Sequence, residues 1–340
     1  MPEWEPIIPS GWNHNHRAFL QAFMGRGTLT LGEGRRIIAA ILSADADGAG
    51  RRVSSESISE ETFRSYISKT REAVAPLDYD IRSSYHQVDR TQVWALINAH
   101  SDPSTQLATS RTPDELSFIK RVLDAMFETY NTIRQEVMAV TAAQARKLAR
   151  PPVTANHGNQ NGDADGDEAI QQQRGTDRGL KHSDVERLLP SLVDEGWFEE
   201  SDEGFYSLTP RSLMELKTWL VTAYNEPDVG PDVWQRIKFC EACKDLVTVG
   251  QRCPDRDCNV RIHDICAEAY WRTRRGGERA CPKCQTAWTG ENYVGERAVT
   301  ETAASNRRVG RKSGRKSDIN GSMVLGEADE EAEEADAGED

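Results

Sequence analysis

All seven cysteines of this 340-residue chain lie between Cys240 and Cys284, and His263 lies among them. In order, the candidate ligands are Cys240, Cys243, Cys253, Cys258, His263, Cys266, Cys281 and Cys284, with spacers of two, nine, four, four, two, fourteen and two residues. A disulfide framework rarely packs an odd number of cysteines so tightly, whereas a metal site does. A Cys-x-x-Cys pair offers two thiolates to one ion from a single turn. Eight ligands fill two tetrahedral sites with no open position, so the ions are structural and activate no water. Soft thiolates select zinc over hard cations. With four ligand pairs in sequence, a cross-brace is the natural arrangement. Cys240, Cys243, His263 and Cys266 then hold one zinc, and Cys253, Cys258, Cys281 and Cys284 the other. A unit this short builds little apolar core, so metal binding supplies most of its folding energy, on the order of 10–16 kcal/mol per site.

The C4HC3 order is shared by RING variants and by PHD-type chromatin readers, and three features favour RING. Cys281-Pro282-Lys283-Cys284 resembles the second RING loop, whose proline packs on a ubiquitin-conjugating enzyme. Arg279 stands where a PHD finger usually places an aromatic. Between Cys240 and Cys253 there is no aromatic from which to build a methyl-lysine cage. The stretch from Cys266 to Trp271 is expected to be a short helix that projects Trp271. Ala242, Trp271 and Pro282 are the expected contacts with a conjugating enzyme, with packing on the domain's own core the equal alternative for Trp271, since an aromatic side chain gains so much by burial. The basic residues Arg272, Arg274, Arg275 and Arg279 face either ubiquitin, an acidic partner or solvent. The alternative is a PHD-like chromatin reader.

Upstream, hydrophobic periodicity outlines two further units. Phe19, Leu20, Phe23 and Met24 form one helical stripe, Ile37, Ile38, Ile41 and Leu42 a second, and Phe63, Tyr66, Ile67 and Val74 a third that stops at Pro76. The period then changes to two, with strands expected over residues 79–86 and 92–98. Three helices and a hairpin form the order of a winged helix, assigned here to residues 14–104.

Thr112-Pro113-Asp114-Glu115 supplies an N-cap, a proline at the first helical position and a capping-box glutamate. Leu116, Ile119, Leu123, Met126 and Tyr130 continue that helix, and residues 133–148 read as weakly helical. Residues 151–179 are rich in Asn, Gly, Gln and Asp and read as a disordered insertion. A helix capped at Ser183 follows, interrupted on paper by Pro190, which costs roughly 3 kcal/mol in mid-helix. A hairpin around Ser201–Gly204 and a closing helix with Leu213, Leu216, Leu220 and Tyr224 complete a second winged helix over residues 112–226.

The zinc domain is assigned to residues 236–295 and a disordered tail, basic and then acidic, to residues 296–340. The fold class is therefore α+β: two tandem winged helices, then a C4HC3 cross-brace RING-like domain. Net charge is −13, but residues 327–340 alone hold nine acids and no base. Near-neutral folded parts do not suit a protein that coats nucleic acid. The third helix carries three bases and three acids between Glu60 and Glu72. Its winged helix is thus expected to dock protein, with DNA contact weak or indirect. No apolar run is long enough to cross a bilayer, so no membrane partner is expected. Six bases between Arg307 and Lys316 suit a nuclear import signal, so a nuclear location is expected. A calcium-loop likeness from Asp45 to Glu56 fails at its fifth position, Ala49, and Asp163–Asp167 is a polar linker.

Two winged-helix-like units followed by a C4HC3 RING resemble the non-SMC element 1 family. These are RING subunits of the five–six type of structural-maintenance-of-chromosomes complex. The segments that carry the resemblance are residues 17–24 (RAFLQAFM), 192–198 (LVDEGWF), 206–208 (YSL), 211–216 (RSLMEL) and the zinc string itself. They extend over about residues 14–295, outside the insertion and the tail. The resemblance implies a RING-type E3 ubiquitin ligase acting in DNA repair by recombination. Its partners would be a MAGE-type winged-helix subunit through the winged helices, the kleisin subunit, and a ubiquitin-conjugating enzyme at Pro282. It implies zinc for all eight ligands and no catalytic side chain. Two positions depart from active RINGs: Ala242 replaces a bulky aliphatic, and Gln285 replaces the basic residue after the last ligand. Both make activity dependent on the partner, or leave a non-catalytic scaffold of the same complex.

Overall fold

The computed structural model describes residues 9–45, 52–99, 110–152, 177–230, 232–274 and 279–301. Most of the expected insertion, residues 46–51 of the calcium-like segment, the linker Asp163–Asp167, Arg275, and the basic and acidic runs of the tail lie outside these residues. Residues up to Glu301 form one compact unit.

The first part opens with α1 (His14–Arg26), whose N-cap Asn13 accepts from the Asn15 and His16 N–H groups. His16 lies buried with its ring stacked between Trp12 and Tyr66. Gly27, at φ 71°, ends the helix in a conformation that glycine adopts without strain. The chain then enters β1 (Thr28–Thr30), a strand that hydrophobic periodicity missed because three residues carry no period. Next come α2 (Leu31–Asp45), α3 (Glu60–Val74), β2 (Tyr79–Tyr85) and β3 (Gln92–Asn98). The sheet order is β1-β3-β2, all antiparallel. This order is consistent with the winged helix expected from the sequence, whose wing is the β2–β3 hairpin. Phe19, Phe23, Ile38, Phe63 and Trp94 are its buried centre. Gly34 lets α2 meet α3, since a Cβ there would sit 2.1 Å from the Phe63 ring.

The second part contains α4 (Pro113–Asp124), with the predicted capping box at Thr112 and Glu115, running into a π turn at Ala125–Thr129. Residues 133–148 are not one weak helix. They hold an irregular loop, β4 (Val140–Thr141) and the short α5 (Ala142–Lys147), capped by Thr141. Then follow α6 (His182–Asp194), β5 (Phe198–Glu200), β6 (Phe205–Leu208), α7 (Pro210–Glu215) and α8 (Lys217–Tyr224). The sheet order β4-β6-β5 repeats the first one. The helix expected to be capped at Ser183 is capped two residues earlier, at Lys181, where Asp184 accepts from the Lys181 N–H at 3.3 Å. Pro190 sits inside α6 without ending it. It lies on the exposed face, the Glu186 carbonyl it leaves free belongs to an exposed residue, and burial of Val185, Leu188, Leu189 and Leu192 holds the helix. The closing helix is two helices, with the break at Leu216.

The zinc-domain segment has β7 (Gly250–Arg252), β8 (Arg261–Ile262), α9 (Asp264–Arg272) and β9 (Tyr293–Val294) in sheet order β8-β7-β9. It does not stand alone. One apolar cluster runs from Phe118 and Leu192 of the second part through Ile237, Leu246 and Val260 to Trp288 and Val294. The short domain therefore borrows its core from its neighbour. Asn225 seals the joint by hydrogen bonds in both directions with Ile237. The first part joins through its wing, where Ala95 and Ile97 meet Met214 of α7.

Candidate metal centre

The structure gathers the eight candidate ligands into two groups of four, Cys240, Cys243, His263 and Cys266, and Cys253, Cys258, Cys281 and Cys284. Within each group every ligand atom lies within 4.8 Å of the others. Cys253 and Cys284 sulfurs are 3.4 Å apart, and those of Cys258 and Cys281 are 3.6 Å apart. A covalent bond needs about 2.05 Å. A tetrahedron with Zn–S bonds of about 2.3 Å has edges of about 3.8 Å. The donor spacing therefore suits a four-coordinate zinc, and each cluster has all four positions filled by protein. The pairing of first with third and second with fourth ligand pairs is the cross-brace.

Two turns of matched geometry present the Cys-x-x-Cys pairs. Cys240 N–H donates to Asp245 O at 2.7 Å, and Lys244 N–H donates to Cys240 O. Cys281 N–H donates to Thr286 O at 2.8 Å, and Gln285 N–H donates to Cys281 O. In each turn the residue after the second cysteine is left-handed: Lys244 at φ 64° and Gln285 at φ 59°. In the sequence Gln285 stands out only as a missing base, and ligand spacing carries no signal of its left-handed backbone.

His263 is 3% exposed and lies at the start of α9. Its Nδ1 is 3.3 Å from the Cys243 sulfur, and its Nε2 lies 3.1 Å from the Leu246 carbonyl. A carbonyl only accepts, so Nε2 carries the proton and Nδ1 is free for the metal. Gly250 allows β7 to pass behind this ligand, since a Cβ there would meet Ile262 O at 2.5 Å and His263 Cα at 2.9 Å. Burial raises the Cys258 and Cys266 thiols to about 11, so metal capture must displace protons. Among the charges that pull Cys266 the other way is Arg90, from the tip of the first wing.

Of the expected enzyme contacts, Ala242 is exposed and Pro282 is half-buried, one on each Cys-x-x-Cys turn. Trp271 does not project from α9. It is 9% exposed and packs against Trp288 at 5.5 Å between ring centroids. Its area is spent on the domain's own core. Trp288 in turn donates to Gln251, and Gln251 donates to Asp264. Arg272, Arg274 and Arg279 are exposed.

A feature invisible in the sequence lies behind both clusters. Glu136, from the irregular loop before β4, is buried among Arg261, Arg252 and Lys238 of the zinc-domain segment. Desolvation would raise its carboxyl, but hydrogen bonds from Arg261 and the three cations outweigh it and hold it at about 2. Lys238 is lowered to about 7 by desolvation, against the pull of Glu136.

Residues 16–216 match the family model described as "Nse1 non-SMC component of SMC5-6 complex", and residues 240–284 match the model of a RING-like domain. Curated relatives named non-structural maintenance of chromosomes element 1 homolog are 21% identical in Rattus norvegicus and in Homo sapiens. The rat match covers 80% of this chain and 83% of that protein, and the human match 81% and 84%. The Schizosaccharomyces pombe protein is 20% identical, over 69% of this chain and 80% of its own. A solved chain from an Nse1-Nse3-Nse4 complex superposes with a TM-score of 0.59 at 21% identity, covering 82% of this chain and 97% of that one.

Proposed function

The chain belongs to the Nse1 family, described as a non-SMC component of the SMC5-6 complex, and on that premise we propose that it is a RING-type E3 ubiquitin-ligase subunit acting in the nucleus in DNA repair by recombination. The observation that carries the reading is the pair of closed four-ligand clusters within a RING-like region. With every coordination position taken by protein, zinc pins the loops and does no chemistry of its own. The domain thus acts by binding. The thioester lies on the conjugating enzyme, and attack by a lysine is promoted by holding that enzyme and its ubiquitin in one geometry.

In this reading Ala242 and Pro282 form the docking face, and Trp271 supports it from beneath. The exposed Arg272, Arg274 and Arg279 face ubiquitin or an acidic partner surface. The winged helices dock protein, a MAGE-type winged-helix subunit and a kleisin; the solved chain similar to this one is itself part of an Nse1-Nse3-Nse4 complex, which supports a role in assembly. Two of the three bases on α3 are already taken by acids, Arg64 by Glu60 and Arg71 by Asp80. That leaves little charge for phosphate contact, so DNA contact stays weak or indirect.

A scaffold reading is favoured by one observation: the position after Cys284 holds Gln285, and no base is there to clamp a charged conjugating enzyme. The two readings part in one experiment. The chain is assembled with its winged-helix partner, and ubiquitin discharge is followed from a panel of charged conjugating enzymes. Partner-stimulated discharge that Pro282→Ala abolishes supports the ligase. An intact complex without discharge across the panel supports the scaffold.

A further inference from the structure

The wing of the first part ends at the first zinc cluster. The turn between β2 and β3 is closed by His86 N–H donating to Thr91 O at 2.8 Å, and it carries Gln87 at its tip. Gln87 Oε1 accepts from the backbone N–H groups of Thr248 at 3.0 Å and Val249 at 2.9 Å, and from the Thr248 hydroxyl at 3.3 Å. Gln87 Nε2 donates to the Leu246 carbonyl at 3.0 Å. The amide orientation is unambiguous, because backbone N–H groups only donate and a carbonyl only accepts. Leu246 O also accepts the Nε2 proton of His263 at 3.1 Å. A carbonyl oxygen has two lone pairs, and here His263 and Gln87 take one each.

We propose that Gln87 is a positioning residue for the first zinc site, so that wing docking and metal retention at Cys240, Cys243, His263 and Cys266 are coupled through the Leu246 carbonyl. The hydrogen bond on the far ring nitrogen orients a metal-binding histidine and sets its basicity. Leu246 supplies that bond, and it is itself fixed by an amide 159 residues away in sequence. Coupling of this kind is reciprocal: loss of zinc from the first site loosens the wing, and loss of Gln87 loosens the zinc. The second cluster has no such link to Gln87 among the described residues. The inference does not rest on ubiquitin transfer, and it stands or falls separately from the proposed function.

The test uses the full-length, zinc-loaded chain and a cadmium-exchanged copy in which cadmium NMR separates a site with three sulfurs and one nitrogen from a site with four sulfurs. Two variants are compared with the parent. Gln87→Ala removes all four bonds. Gln87→Glu keeps acceptors for Thr248 and Val249 but sets a carboxylate oxygen against the Leu246 carbonyl. Gln87 is a half-exposed loop residue outside the three cores, so both variants leave the fold in place. Chelator-driven release from the first site is expected to quicken about tenfold in both, the lower end of what losing an outer-shell partner costs. Release from the second site is expected to stay unchanged. In the parent, stripping the first site should also expose the Thr248 and Val249 amides to hydrogen exchange. Equal acceleration at both sites, or none at the first, overturns the proposal.

Discussion

Arg261 grips Glu136 through two guanidinium nitrogens, one on each carboxylate oxygen, and both side chains are 1% exposed. The third nitrogen of Arg261 donates to the carbonyls of Cys258 and Val260, at 2.7 Å each. One guanidinium therefore ties the loop carrying a zinc ligand to a carboxylate from the second part of the chain. Removing one partner of a buried pair leaves uncompensated charge and costs about 3–5 kcal/mol. Glu136→Ala strands three cations and is expected to fall in that range in urea unfolding of the zinc-saturated chain. Lys238→Met should cost less, because Glu136 keeps its Arg261 bonds and Lys238 already lies lowered by burial. A loss under about 1 kcal/mol for Glu136→Ala, against that range, would mean the network is not what locks the domains.

The same carboxyl gives an acid signature. Glu136 sits at about 2 in the fold against 4.5 in the open chain. A carboxyl held below its free value stabilises the fold fully above the free value, and that stability is lost as pH falls through the folded one. Its contribution is thus complete above pH 4.5 and disappears toward pH 2. Zinc release also occurs in acid, but it affects parent and variant alike. The stability gap between the parent and Glu136→Gln should hold constant above pH 4.5 and narrow below it. A gap that does not narrow would assign the acid sensitivity to the metal sites alone.

The wing tip should respond at the other end of the scale. His86 Nε2 meets Glu199 of the second wing at 3.0 Å, and its Nδ1 meets Asp89 at 3.2 Å. Its pKa is raised above 6.5, first by the Glu199 hydrogen bond, which outweighs desolvation, and then by the charges of Glu199 and Asp89. A base with a raised pKa contributes stability that is fully present below pH 6.5 and is lost as pH rises through its folded value. The amide protection of the wing turn, residues 86–91, should therefore weaken from pH 6.5 upward once intrinsic exchange rates are corrected. His86→Gln should flatten that dependence. An unchanged slope in the variant would move the titration elsewhere.

The zinc string was legible because its spacing is local and chemically narrow: eight ligands and four pairs leave little else to build. The long helices were legible for the same kind of reason, since stripes such as Phe63, Tyr66 and Ile67 bury what the period says they bury. What stayed hidden was short or distant. β1 is three residues and exists because β3 is there to pair with it. Glu136 is one acid in an undistinguished loop, and its three cations follow it by 102 to 125 residues. Gln87 looks like any turn glutamine until the RING loop closes on it. Trp271 stands open in the sequence between an enzyme contact and core packing, because helical position alone does not tell which face Trp288 covers.

Gln285 separates a backbone role from a functional one. It is exposed and left-handed at φ 59°, and its N–H donates to Cys281 O to close the second Cys-x-x-Cys turn. A left-handed backbone penalises a β-branched side chain most, by roughly 1–2 kcal/mol, and penalises glycine not at all. Gln285→Val should therefore destabilise the second cluster, read as faster chelator release, while Gln285→Gly should not. Gln285→Arg keeps an unbranched side chain at the same angle, so it should leave zinc retention unchanged while restoring a cation beside the last ligand. If the chain transfers ubiquitin with its partner, that variant should discharge charged conjugating enzymes faster than the parent. A well-folded Gln285→Arg complex that gains nothing, with the parent also silent, would mean that the missing base is not what limits transfer. The zinc domain would then serve as a docking wedge between two winged helices.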